Sequence, residues 1–301
     1  MIVQYLADGI VLGATLALGA IGLTLTYNIL RFANFAHGEF LAFGAYFALI
    51  FAVWTGAMAT GGQTFGALSF GWDFVPAIGV AVLATALLAL LLDWLLYRPL
   101  RRSEVAITLV IASFGASLML RNLIVFAWGS QPEYFSRRIS IAREILPGVR
   151  MSSDEIFVVI AAAVLMLALH LFLARTRLGK AMRAVSDNPR LAEVAGIDVR
   201  GVIRWTWIVG AGLAAFAGIL FGLTVQISPE MGFTLILPMF AAAILGGVGS
   251  IYGAVLGGLI IGLAQSLSVP VFGPAWQPAV AFGLMFAILL VYPQGILGER
   301  R

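Results

Sequence analysis

Long uncharged runs dominate the chain, and its charged residues are confined to short connectors. Asp, Glu, Lys and Arg are absent from 9–30, 40–72, 205–229 and 231–298. A helix needs about 20 mostly apolar residues to cross a bilayer, so the last run alone has room for about three passes. Backbone amides in lipid must be bonded within their own element, and the runs lack the alternation of a transmembrane barrel. We therefore predict an all-α polytopic membrane protein with a single transmembrane domain over 1–301.

The runs divide into about eight predicted transmembrane helices. Six apolar segments come first, followed by a Gly-rich region and a last helix: 8–30, 40–55, 74–97, 105–128, 155–174, 205–227 and 276–292. In the Gly-rich region, the flanks 231–245 and 254–269 are each short for a full span. We expect them to form a hairpin of two short or half helices that turns at Gly246–Gly253.

The glycines of this hairpin have two interpretations. Small residues at helical spacing let helices pack closely in lipid, which suits Gly253 and the glycines that follow it. A dense cluster is also typical of a broken helix beside a transport pathway. On the second interpretation, the hinge or pathway candidates are Gly246, Gly247, Gly249 and Gly253.

The basic residues predict which connectors face the cytoplasm. Twelve of the eighteen Lys and Arg residues lie in 98–102, in 175–204 or at the C-terminus. By the positive-inside rule these places are cytoplasmic, whereas 56–72 and 130–155 are outside.

The chain has a net charge of +4 and a pI near 9.8. Because the basic residues flank apolar spans, the charge indicates membrane anchoring and no nucleic-acid partner. Without cysteine, the chain has neither disulfides nor thiolate metal sites.

The connector 175–204 carries signals for a short surface helix. Asp187 and Asn188 can cap its start, Pro189 suits the first helical position, and Gly196 suits its end. A helix this short is marginal alone, so its apolar residues should pack against the membrane domain or a partner. A basic connector can also be only a topology anchor. The defined helix favours a cytoplasmic coupling loop over 175–204 instead.

The chain has no nucleotide-binding loop of the phosphate-cradling type. That motif needs a lysine followed by Ser or Thr, whereas the only lysine, Lys180, precedes Ala181. No arrangement of side chains has catalytic spacing, so we expect no enzyme activity and no cofactor on this chain. ATP and Mg²⁺, where transport requires them, would bind partner ATPase subunits that dock at 175–204.

Four stretches resemble the permeases of branched-chain amino-acid ABC importers. They are GLTLTYNILRFANFAHGEFLAFGAY (22–46), GKAMRAVSDNPRLAEVAGID (179–198), LGGVGSIYGAVLGGLIIG (245–262) and YPQGILG (292–298). The resemblance covers nearly the whole chain and is greatest to the shorter of the two permease subunits. It implies an inner-membrane importer subunit that works with a second homologous permease, two cytoplasmic ATPases and an extracytoplasmic substrate-binding protein.

The resemblance also implies roles for residues of the coupling loop. The stretch around AEVAG is similar to a reduced form of the motif by which permeases dock on their ATPases. The residues that it assigns to ATPase coupling, together with the predicted cap, are Arg183, Asp187, Asn188, Glu193 and Gly196. Relatives commonly have glycine in place of Asn28 and arginine in place of Tyr292, and they include carriers of urea and short amides. These substrates are the alternative within the family.

The stretch NFAHGE places three polar side chains, Asn34, His37 and Glu39, beside a predicted membrane boundary. Two side chains such as His37 and Glu39 do not make a tetrahedral metal site, so no metal is predicted. A hydrogen-bonded cluster at the start of a helix is the simpler interpretation, and a place along the transport pathway is the alternative.

For Arg121, inside a span, we expect snorkelling, with contact to a substrate carboxylate as the alternative. Asp93, near the inner end of its helix, is expected to form an interfacial pair with Arg98 or to snorkel.

These observations favour a permease subunit of an ATP-driven importer for branched-chain or related small apolar amino acids, working by alternating access. A stand-alone secondary transporter or channel is the alternative from another class. Such proteins usually carry intramembrane acids for ion coupling, and only Asp93, near an interface, fits that description.

Overall fold

The computed structural model describes residues 2–55, 68–72, 74–101, 106–136, 142–292 and 294–298. The helices of the described part are α1 (Ile2–Leu30), α2 (His37–Trp54), α3 (Phe74–Leu92), α4 (Arg98–Leu100), α5 (Ala106–Trp128), α6 (Ser153–Arg175), α7 (Arg177–Asp187), α8 (Pro189–Val194), α9 (Val199–Thr224), α10 (Met231–Gly246), α11 (Ile251–Phe272) and α12 (Gln277–Val291). A π-helical turn, Asp93–Tyr97, joins α3 to α4, and Pro274–Trp276 forms a 3₁₀ turn before α12. The strands β1 (Arg143–Leu146) and β2 (Val149–Met151) form one short antiparallel hairpin.

The prediction of a polytopic all-α membrane protein is confirmed. Eight helices of the described chain are long and apolar enough to cross a membrane, and α10 is a shorter apolar helix of 16 residues. One detail of the predicted Gly-rich hairpin is wrong, because α11 has 22 residues and needs no partner to span. The Ser250 hydroxyl accepts a hydrogen bond from the Gly253 N–H at 3.0 Å. This cap starts α11 at Ile251 and shortens the turn to 247–250.

The described connectors lie on two sides of the domain, whereas 56–67, Arg102, Arg300 and Arg301 lie outside the described residues. On one side, Arg31 donates to the Ser186 carbonyl, and Leu297 N–H donates to the Gly246 carbonyl at 2.9 Å. We call this side, which carries 175–204, the basic side. On the opposite side, the Gln4 amide donates to the Arg150 carbonyl at 2.9 Å. Helix α1 therefore begins on the opposite side and ends on the basic side.

Glycine contacts determine how closely the central helices approach. Helix α11 runs antiparallel to α1, and a Cβ on Gly258 would lie 2.5 Å from Ala17 Cα. On another face of α11, a Cβ on Gly257 would lie 2.0 Å from the Ala242 carbonyl oxygen of α10. Since these distances are too short for a methyl group, the backbones touch directly, as small residues permit in membranes.

The outer helices expose apolar side chains instead of burying them. Helices α3, α5, α6 and α12 present many large exposed residues, such as Leu83, Phe126, Leu167 and Leu290. In water such surfaces would be unfavourable, whereas in a bilayer they match the hydrocarbon around them. The centre of the domain is formed by α1, α2, α9, α10 and α11, which bury most of the core residues.

Candidate functional site

The coupling loop forms two short helices that project on the basic side. Helix α7 begins where the Thr176 hydroxyl accepts from the Gly179 N–H, at 3.0 Å, and it buries Met182 and Val185. Helix α8 begins where the Asn188 side chain accepts from the Leu191 N–H, also at 3.0 Å. Gly196, with φ of +85°, follows α8 in a conformation that favours glycine. The expected cap at Asn188 and the expected helix end at Gly196 are therefore present, whereas Asp187 is the last residue of α7 and does not cap α8.

The apolar residues of α8 face in two directions. Ala192 is buried and Ile197 is half-buried against the membrane domain. By contrast, Leu191 is 66% exposed and Val194 is 87% exposed. Both lie on the basic side, beyond the membrane-spanning helices. The membrane domain thus packs against one face of this helix. It leaves an apolar patch, Leu191 and Val194, uncovered on the other.

The coupling residues separate into two places. Arg183 and Asp187, both exposed on α7, line a cleft of about 840 Å³ on the basic side. Gly249 and Arg31 line the same cleft. The remaining three, Asn188, Glu193 and Gly196, are exposed at the tip formed by α8. The cleft and the tip are therefore joined through the short helix α7.

The four hinge candidates have different structural reasons for being glycine. Gly247 and Gly249 have φ of +106° and +103°, which a residue with a Cβ rarely adopts. Gly246 and Gly253 have no such conformation, but their backbones touch, and a Cβ on Gly246 would meet the Gly253 carbonyl at 1.9 Å. The Asn28 amide donates to the Gly249 carbonyl at 2.7 Å, which ties the turn to α1.

The polar side chains of NFAHGE lie deeper than the sequence predicts. His37 bonds through Nε2 to the Gly19 carbonyl at 3.1 Å, and Gly19 lies about 16 Å from the end of α1 by the helical rise. Helix α2 therefore begins inside the membrane, after a non-helical segment, 31–36, that returns from the basic side. Such backbone is tolerated only where protein surrounds it. Phe35 N–H donates to the Ser113 hydroxyl at 3.1 Å, which supplies one of the bonds the segment needs.

These side chains form a buried hydrogen-bonded cluster at the start of α2. The Asn34 side-chain oxygen Oδ1 accepts from the Ala36 N–H at 3.1 Å and from the Tyr97 hydroxyl at 3.0 Å. The Glu39 carboxylate accepts from the Ser117 hydroxyl at 3.0 Å. Asn34, His37 and Glu39 are all at most 1% exposed. The cluster is enclosed within this chain, so it does not itself form an open surface.

Comparison with known proteins identifies the family. The family described as "Branched-chain amino acid transport system / permease component" matches residues 5–289. The chain belongs to this family. BraD of Pseudomonas aeruginosa, a high-affinity branched-chain amino acid transport system permease protein, is 35% identical over 306 residues, which cover 98% of this chain and 95% of BraD. LivH of Escherichia coli K12, which has the same description, is 36% identical over 303 residues. These residues cover 98% of this chain and 95% of LivH. No solved structure matches.

A second polar group near the basic side of this permease was predicted with the wrong partner. Asp93 pairs with Arg101 at 2.6 Å instead of Arg98, and it accepts from the Trp207 indole N–H at 2.7 Å. Tyr97 stacks on Trp207 with ring centroids 5.1 Å apart. The π-helical turn explains the change of partner, because its extra residue rotates the positions that follow. This group connects α9 to Asn34 through the Tyr97 hydroxyl.

Arg121 has a protein partner that the sequence analysis did not predict. Its guanidinium donates to the Glu230 carboxylate at 2.9 Å, directly before α10, and lies over the Phe233 ring. Glu230 is the single acidic residue between 205 and 298, a signal that sequence reasoning could have used.

The permease structure shows no metal-binding arrangement among its described residues, since no three carboxylate or imidazole groups come together there. His37 and Glu39 are bonded to different helices, α1 and α5, by the contacts given above. Both side chains therefore join the start of α2 to its neighbouring helices.

Proposed function

We propose that this permease is the membrane subunit of an ATP-driven importer of branched-chain or related small apolar amino acids. The match to BraD and LivH over 98% of the chain is the observation that carries the proposal. On this proposal the protein lies in the bacterial inner membrane with its basic side in the cytoplasm. Its partners are a second homologous permease, two cytoplasmic ATPases that bind ATP and Mg²⁺, and an extracytoplasmic substrate-binding protein.

The exposed patch of α8 supports docking of an ATPase at the coupling loop. A short helix with Leu191 and Val194 uncovered is incompletely packed, and a partner surface would cover both residues. Arg183, Asp187, Asn188, Glu193 and Gly196 would transmit ATPase motion, because α7 leads from this patch to the basic-side cleft.

The glycine turn and the α2 cluster have supporting roles in the proposed transport cycle. Gly247 and Gly249 would act as hinges between α10 and α11, whereas Gly246 and Gly253 keep these helices in contact. Asn34, His37 and Glu39 would hold the membrane-embedded start of α2 beside the pathway.

Reconstitution of the complete complex in vesicles tests this function. We expect leucine uptake that requires ATP, the ATPases and the binding protein. The double variant Leu191→Asp/Val194→Asp should reduce uptake at least about tenfold, because it places two charges in the proposed interface. Ile296→Asp, a similar change at a partly exposed residue on the same side, is the control. Uptake by this chain alone, driven by an ion gradient, would refute the proposal.

A further inference from the structure

An ion pair lies on the surface of the chain at membrane depth. Arg121 is on α5, about 10 Å from the helix end at Trp128 by the helical rise. Its side chain is 29% exposed, and that of its partner Glu230 is 66% exposed. Charged groups are expensive in hydrocarbon and usually face a protein interior or a water-filled cavity. We therefore expect protein or water, and not lipid, to cover this face of the permease.

The ion pair lies where two interrupted helices meet. Helix α10 begins directly after Glu230, and its Gly232 backbone touches Gly38 at the start of α2. Both helices thus begin inside the membrane, and each directs the positive end of its dipole to the same region. In transporters, the amino ends of interrupted helices are suited to an anionic substrate group.

A second carboxylate lies beside the pair. Glu39 bonds to Ser117, which lies one helical turn from Arg121 on the same face of α5. Its other oxygen, Oε2, is buried and has no hydrogen-bond partner within the described part of the chain. Arg121 thus contacts one carboxylate, Glu230, and has a second, Glu39, about one helical turn away through Ser117. A guanidinium binds a carboxylate in bidentate fashion, and carboxylates bind an ammonium. The region is complementary to a zwitterion.

A stripe of apolar residues leads from the ion pair to the basic side. Along α10 the incompletely buried side chains recur every three or four residues on one face, and the stripe continues just beyond the helix: Phe233, Leu237, Phe240, Ile244 and Val248. Its last two residues, Ile244 and Val248, line the 840 Å³ cleft together with Arg183 and Asp187 of α7. The stripe therefore connects the ion pair to the coupling loop.

We propose that the zwitterionic head of the amino acid is recognised at Arg121 and Glu230 and that its apolar side chain then passes along the α10 stripe to the basic-side cleft. This inference rests on the proposed function for its substrate class. The carboxylate of the substrate replaces Glu230 as the partner of Arg121, and its ammonium binds the exposed carboxylate of Glu230, while the buried Glu39 adds negative charge nearby. The second permease closes the passage on its open face.

Cysteine labelling tests the passage without requiring transport. The chain contains no cysteine, so single variants Leu237→Cys, Phe240→Cys and Ile244→Cys are the only thiols on this subunit. In the complete complex, we expect a water-soluble thiol reagent to label them at least about tenfold faster than Leu83→Cys and Phe286→Cys. These two controls are exposed apolar positions on α3 and α12. Equal rates at all five positions would overturn the proposed passage. Saturating leucine should slow labelling of the stripe.

Charge exchange tests recognition at the ion pair. Arg121→Gln and Glu230→Gln should each reduce leucine uptake at least about tenfold, whereas Arg98→Gln, at an exposed residue of α4 outside the coupling loop and the passage, should not. The exchange variant Arg121→Glu/Glu230→Arg should recover the thermal stability of the wild type but not its uptake. Recovery of uptake would show that the pair only joins α5 to α10, and would overturn the recognition role. The wild-type complex could also import no amino acid although the water-soluble reagent labels the stripe. That result would refute the proposed substrate class and support the passage.

Discussion

At the scale of single residues, buried polar groups decide which helices are joined. Asp93 is 6% exposed, and it holds the Arg101 guanidinium and the Trp207 indole N–H at once. Such a group is costly to bury unless its bonding capacity is used, and removing one partner leaves the others unpaired. Asp93 therefore matters for the contact of the π-helical turn with α9, even though it lies outside the proposed passage.

Replacing Asp93 should be far more damaging than replacing an exposed acid. We expect Asp93→Ala to lower the free energy of unfolding by about 3 kcal/mol, because Arg101 and Trp207 lose their common acceptor. The control is Asp198→Ala, whose pair with Arg204 is exposed and 3.8 Å long, and its cost should stay under about 1 kcal/mol. Thermal unfolding of the purified complex measures both. Equal shifts in the two variants would contradict this account.

At the scale of elements, short local signals determine the helix ends of the coupling loop. The side chain of Asn188 supplies the bond that begins α8, and Gly196 supplies the backbone conformation that follows it. Both signals involve residues within a few positions of each other, so they are readable without tertiary structure. The element is only six residues long and depends strongly on each of them.

Removing the cap of α8 should weaken coupling without preventing membrane insertion. Asn188→Ala deletes the acceptor for Leu191 N–H and should cost about 1 kcal/mol of local stability. We expect ATP-driven leucine uptake to fall several-fold in reconstituted vesicles. Asn188→Ser keeps a side-chain acceptor and should retain most of the uptake. An equal loss of leucine uptake in both variants would contradict the capping role of the Asn188 side chain.

At the scale of the whole molecule, contacts between distant connectors determine the orientation of α1. The bond between Gln4 and Arg150 places its start on the opposite side, and that between Arg31 and Ser186 places its end on the basic side. The sparse charge around RFANFAHGEF does not settle this by the positive-inside rule. The orientation is thus a result of packing.

Labelling of intact cells checks this orientation. A membrane-impermeant maleimide should label Val3→Cys, which lies at the start of α1, in intact cells. Arg200→Cys, in the coupling loop, should be labelled only after the membrane is permeabilised. Because the wild-type chain has no cysteine, its own labelling provides the blank. Labelling of both variants in intact cells would show that the two positions share the outer side.

The sequence predicted the spans well and the contacts between them poorly. The expected limits of the fifth span, 155–174, differ from those of α6 by two residues at most. By contrast, Asp93 was given the wrong partner, the Glu230 partner of Arg121 was not predicted, and α2 begins deeper than NFAHGE indicated. Helix α3 has almost only apolar residues on every face, so its sequence carries no periodic signal of which face is buried.

By itself, the sequence determined the class of protein, the number of long apolar spans, the side shared by the basic connectors and the capped helix α8. Each of these depends on neighbouring residues or on transfer of a segment into lipid, which is a local property. Only the tertiary structure decided that Arg121 pairs with Glu230 and that the interrupted helices α2 and α10 begin together. Those contacts join segments far apart in the chain. They form only when the apolar helices are packed with a particular face buried and at a particular depth in the membrane.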